Sequence, residues 1–125
     1  MSQTNELEIM ERIALDLERV EESLASSFNT GAEDFNALIR PLSAAGGKRL
    51  RAQLCLLIAN AGTSIERQRI KIAEAVEMLH LATLIHDDVL DQAEIRRGED
   101  TIHMHKGNKV AILSGDYLFA KAFKI

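Results

Sequence analysis

Residues 66–91 constrain this chain more than any other stretch. Apolar side chains recur there at helical spacing for about seven turns, and the run ends in His86-Asp87-Asp88-Val89-Leu90-Asp91. Taking His80 as the origin at 100° per residue, Asp87 falls about 20° to one side and Asp91 about 20° to the other. Asp88 lies about 80° away, at the edge of that face. The same stripe collects Ala73, Val76, Thr83 and Leu84, so an acidic end stands over an apolar wall. That arrangement suits a ligand with a charged head and a greasy tail.

Asp87 and Asp91 are spaced i,i+4 and can reach a common cation, and the negative end of the helix dipole favours one there. An all-oxygen donor pair facing a phosphate is the usual setting of Mg²⁺. A solvated helix end is the bland alternative, but it gives no reason for the acids to share a face with apolar residues. Arg96-Arg97-Gly98 follows within a few residues and adds a clamp for an anion. Upstream, Gly46-Gly47-Lys48-Arg49-Leu50-Arg51 opens another apolar run, with glycines before a helix start, the ingredients of an anion site. In a helix from about residue 47, Lys48 and Arg51 share a face and Arg49 points about 100° away. Alone this element also reads as a plain basic helix start, and it lacks the spacing of a Walker loop.

Together, Gly46-Gly47-Lys48-Arg49-Leu50-Arg51, the helix from His80 to Asp91, Arg96-Arg97-Gly98 and Ala111-Ile112-Leu113-Ser114-Gly115-Asp116 resemble the trans-isoprenyl diphosphate synthases, or polyprenyl synthetases. The resemblance implies an all-α fold and Mg²⁺-dependent condensation of an allylic diphosphate with isopentenyl diphosphate. It implies Asp87, Asp88, Asp91 and Arg96 as the catalytic set, with Asp87 and Asp91 as the direct Mg²⁺ ligands. Arg96 would contact the allylic diphosphate, while Lys48, Arg51, His80 and Arg97 would hold that of isopentenyl diphosphate. Two departures stand out. Ala52 occupies a position that is usually proline in the family, and the family's second aspartate-rich motif does not occur in this sequence. Residues 1–125 are therefore expected to be the N-terminal portion of a single polyprenyl synthetase domain, inactive alone. In the family, bulky side chains just before the first aspartate-rich motif stop product growth. Ala82 and Thr83 stand there, which points to a medium- or long-chain all-trans product. The competing expectation is a non-catalytic subunit or diphosphate-binding partner in a heterodimeric prenyltransferase.

The rest of the chain bounds the setting. A net charge of -4 argues against non-specific nucleic-acid binding, and the acidic N-terminus lacks the features of a signal peptide. The longest uncharged run, 52–65, is too short to span a bilayer. A soluble, cytoplasmic protein is expected, with the single Cys55 as a buried, inert core residue. Five helices are expected over about 5–27, 33–42, 47–61, 66–91 and 108–125, the second ending near Pro41, with loops at 61–63 and 92–107. They should form an antiparallel bundle with its site between facing helices. The exposed apolar face expected of part of such a fold suits a homodimer or a heterodimer. His103 and His105, spaced i,i+2, read as surface or supporting residues, not metal ligands. His86 reads as a packing residue between helices, and Asp116 as a helix-start or packing acid as readily as a site residue.

Overall fold

The computed structural model describes residues 3–44, 47–96 and 98–125, without the side chains of Gln3, Thr4, Asn5, Glu99 and His105. Gly46 and Arg97, both singled out above, lie outside the described residues. Among the described residues the fold is the expected all-α bundle: α1 (Gln3–Ser27), α2 (Glu33–Ala44), α3 (Leu50–Ala61), α4 (Glu66–Leu90), α5 (Ile102–Lys106) and α6 (Asn108–Lys124). None of these helices is long and apolar enough to cross a membrane.

α4 is the central element, packed against α1, α3 and α6. Ala73, Met78, Leu81, Ala82 and Ile85 bury its apolar face against Val20, Leu24, Leu56, Ala111 and Leu118 of the shared core. The helix also buries three acids, each with a partner from another segment. Glu74 accepts hydrogen bonds from Ser23 and Ser27 of α1, both at 2.5 Å. Glu77 meets the start of α3, and Asp88 meets Arg96. A fourth buried acid, Asp16 of α1, joins α3 and α4 by accepting from Asn60 (3.1 Å) and Arg69 (2.7 and 3.1 Å).

Three boundaries differ from the sequence expectation. α2 runs through Pro41 to Ala44, because Ile39 and Ser43 on either side of the proline are both buried and their packing outweighs one missing backbone donor. α3 begins at Leu50, not near 47, because Arg49 adopts a left-handed backbone (φ 53°) that cannot continue a helix. The 92–107 stretch is not a plain loop. It holds the antiparallel pair β1 (Ile95–Arg96) and β2 (Glu99–Asp100), turned at Gly98 with φ 81°, and then α5. Cys55 is half-buried at the rim of the core, less enclosed than expected.

Candidate functional site: an acidic helix end facing an arginine

The end of α4 brings the acidic motif and one arginine together. Asp91 sits one residue past the helix as its cap, its N–H donating to Asp87 O at 2.8 Å, so the pair keeps helical i,i+4 spacing. Gln92 then turns left-handed (φ 54°), and Ala93 N–H closes back on Asp88 O at 2.9 Å. This cap aims the following chain back along the site. Thr101 locks the return, its N–H donating to Glu94 O and its hydroxyl to Ala93 O, and His103 Nε2 also contacts Ala93 O.

The hairpin carries Arg96 onto Asp88. Its Nε lies 2.9 and 3.0 Å from the two carboxylate oxygens and its Nη2 lies 2.6 Å from Oδ1, a two-pronged ion pair. Asp88 is 5% exposed, so its carboxylate is committed to the arginine. Asp87 and Asp91 are exposed. The hydrogen bonds to Asp88 raise the pKa of Arg96 first, burial opposes this, and the charges of Asp88, Asp87 and Asp91 raise it further. Arg96 therefore stands permanently charged within the field of all three acids.

Whether these residues suit a divalent ion follows from the donor set. Among the described residues, no three His, Cys, Asp or Glu side chains gather into a metal cage. With Asp88 taken by Arg96, the helix end offers two exposed carboxylates. That is too little for a dedicated structural site. It fits an ion such as Mg²⁺, which is commonly held by one or two carboxylates and completed by water and phosphate oxygens.

The basic half is arranged differently from the expectation. Lys48 lies in the turn before α3 and Arg51 in its first turn, so they share no helical face. Both are exposed. Between them Arg49, expected to point about 100° away, is buried. His80 is half-buried on α4, and its carbonyl accepts the Thr83 hydroxyl at 2.7 Å. Of the two positions before the acidic motif, Ala82 is fully buried and Thr83 is exposed.

His86 packs between α4 and α6 as expected. Its Nε2 lies 3.0 Å from Ile112 O and 3.3 Å from Asp116, and its ring lies 5.3 Å from that of Phe119. Gly115 faces the imidazole directly, and a Cβ there would collide with it. Asp116 thus serves the α4–α6 seam. Two acids that reasoning from sequence missed are Glu74 and Glu77. Their signal was present: carboxylates set among buried apolar positions of an otherwise amphipathic helix.

Comparison with known proteins places this geometry in a context. A family model described as polyprenyl synthetase matches residues 32–125. Solanesyl diphosphate synthase 1, chloroplastic, of Arabidopsis thaliana is 36% identical over 91% of this chain and 30% of its own length. Geranylgeranyl diphosphate synthase of Methanosarcina mazei is 46% identical over 77% of this chain and 30% of its own. Among solved structures, a polyprenyl synthase from Caulobacter crescentus complexed with calcium and isoprenyl diphosphate superposes with a TM-score of 0.85. It is 37% identical, over 93% of this chain and 35% of that one. The chain spans about 30% of the length of these curated relatives.

Proposed function

The chain belongs to the polyprenyl synthetase family, and from that premise we propose that its residues form the N-terminal portion of one prenyltransferase domain. The activity is condensation of an allylic diphosphate with isopentenyl diphosphate to a medium- or long-chain all-trans polyprenyl diphosphate. The observation that carries the proposal is the end of α4, where Arg96, locked on Asp88, sits within the charge field of Asp87 and Asp91. An anion carrying divalent cations is the ligand such a mixed-charge end would hold.

In this reading Asp87 and Asp91 would hold Mg²⁺, which when bound would supply charge neutralisation for the diphosphate leaving group. Arg96 contacts the same diphosphate from the hairpin side, and Asp88 orients it. Lys48, Arg51, His80 and Arg97 bind the diphosphate of isopentenyl diphosphate. Fixed positive charge near the departing oxygen stabilises the transition state as the allylic carbocation forms, so no protein nucleophile is required. The second aspartate-rich motif does not occur in this sequence, and the 125 residues alone are not expected to turn over. Thr83, small and exposed on the apolar stripe, supports a tail pocket without a plug at that point. A cytoplasmic setting and assembly as a homodimer or heterodimer belong to the same reading.

The test uses the natural-length protein. Asp87→Ala is expected to nearly abolish Mg²⁺-dependent transfer of isopentenyl diphosphate onto an allylic primer. Wild-type turnover by that variant overturns the assignment.

A further inference from the structure

Glu77 stands midway along α4, 3% exposed, well away from the acidic helix end. Its Oε1 accepts the backbone N–H of Ala52 at 2.9 Å, satisfying one of the unpaired donors in the first turn of α3. Its Oε2 lies 3.7 Å from Arg49 Nη1. Arg49 is also buried, and its guanidinium spans three elements. Nε donates to Glu21 of α1 at 2.6 Å, and Nη2 donates to Ser43 O near the end of α2 at 2.7 Å. The backbone of Arg49 is left-handed, a conformation that costs a side chain of this size energy and persists only where the surroundings impose it.

That reversal decides where Lys48 and Arg51 go. Lys48 sits on the turn side of it and Arg51 on the helix side, and Gln53 Nε2 donates to Lys48 O at 2.5 Å to fix the intervening peptides. Without the left-handed residue between them, the two cations would follow a helical register with a different separation. Their relative placement is therefore set by Arg49, which Glu21 and Ser43 hold by hydrogen bonds, while Glu77 ties the α3 start to α4 and sets a buried negative charge against the guanidinium.

We propose that Glu77 is a positioning residue: acting through Arg49 and the first turn of α3, it places Lys48 and Arg51 to take one diphosphate, that of isopentenyl diphosphate. This deepens the proposed function and rests on it. Glu77 touches neither substrate, and its effect is confined to the basic half, because the allylic half is carried by Asp87, Asp91 and Arg96 at the far end of α4.

The experiment is steady-state kinetics of the natural-length protein with both substrates varied. Glu77→Gln keeps an acceptor for Ala52 N–H and removes the charge facing Arg49. It is expected to raise KM for isopentenyl diphosphate about tenfold, with the allylic KM and kcat within about twofold. Arg49→Lys keeps a buried cation but cannot span Glu21, Ser43 and Glu77 together, and the same split, about threefold, is expected even if Glu77→Gln does not fold. Equal shifts in both KM values, or a fall in kcat alone, overturn the proposal. Lys48→Ala and Arg51→Ala separate the two levels. If neither raises KM for isopentenyl diphosphate, the site reading itself fails. If they do while Glu77→Gln and Arg49→Lys do not, only the positioning role fails.

Discussion

Glu77 and Asp88 lie on nearly the same line of α4, about three turns apart, and each engages one arginine from a flanking segment. Arg49 comes from the connection before α3 and Arg96 from the hairpin after α4. One helix thus fixes the basic segments on either side of it through two buried carboxylates. The geometry of the candidate site depends on two buried carboxylates that the arginines cover.

Asp88→Asn tests the hairpin side. The amide cannot receive both prongs of the guanidinium, so Arg96 loses its orientation while Asp87 and Asp91 stay in place. In the natural-length protein kcat/KM for the allylic substrate is expected to fall about tenfold to a hundredfold. In a cycle with Arg96→Met the two losses should not add. Additive losses would mean that the two residues act separately.

Mg²⁺ binding should depend on diphosphate. Two exposed carboxylates give a weak site on their own, with a dissociation constant expected around the millimolar range. Calorimetry of the natural-length protein should show little binding of the ion alone and strong binding once inorganic diphosphate is present. Tight binding of Mg²⁺ without diphosphate would contradict the two-carboxylate site.

Acid should unlock the joint between α1, α3 and α4. Burial alone raises the pKa of Asp16, but hydrogen bonds from Arg69 and Asn60 and the charges of Arg69 and Arg19 outweigh it, leaving the carboxyl below its ordinary value. A depressed pKa contributes stability that is fully present above the ordinary carboxylate pKa, near 4, and is lost as pH falls through the folded value. Denaturation curves of wild type and Asp16→Asn should therefore differ at pH 7 and converge as the pH drops below about 4. A gap that stays constant with pH would assign the effect to packing.

Gly115→Ala should destabilise the α4–α6 seam by about 1–3 kcal/mol, because the new methyl meets the His86 ring. Gly31→Ala, where the added carbon meets nothing within 4 Å, should leave Tm nearly unchanged. Equal behaviour of the two variants would rule out the close approach.

Ala52→Pro separates family habit from this chain's own bonding. The substitution restores the family's usual residue but removes the N–H that Glu77 accepts. Stability measured by chemical denaturation is expected to drop by about 1 kcal/mol. A gain would mean that the proline's stiffer backbone outweighs the lost bond.

The long helix was legible because its apolar period persists from α4's first turns to the acidic motif despite Glu74 and Glu77, and periodicity is the strongest local signal a sequence carries. The 95–100 hairpin was not: two-residue strands are too short for alternation to show, and Gly98 alone marks the turn. The shared face expected of Lys48 and Arg51 failed on one backbone angle, since an arginine gives no local sign of a left-handed conformation. Asp88 read as the edge of a face, which is correct in angle, but its burial depends on an arginine eight positions on. His86 was legible as a packing residue. The glycine that makes room for it stands on another helix and could not be paired with it from spacing alone.

The three buried acids of α4 also bear on how the chain assembles. Glu74 needs the serines of α1, Glu77 needs Arg49 and the α3 start, and Asp88 needs the hairpin. A state in which α4 has docked while any one of these segments is still loose leaves a carboxylate without its partner and forfeits hydrogen bonds to a charged group, worth about 1.5–3 kcal/mol each. Half-assembled forms are penalised from within the core. Folding of this region is thereby driven towards an all-or-none event, in which the segments that bear the candidate ligand-binding charges arrive together.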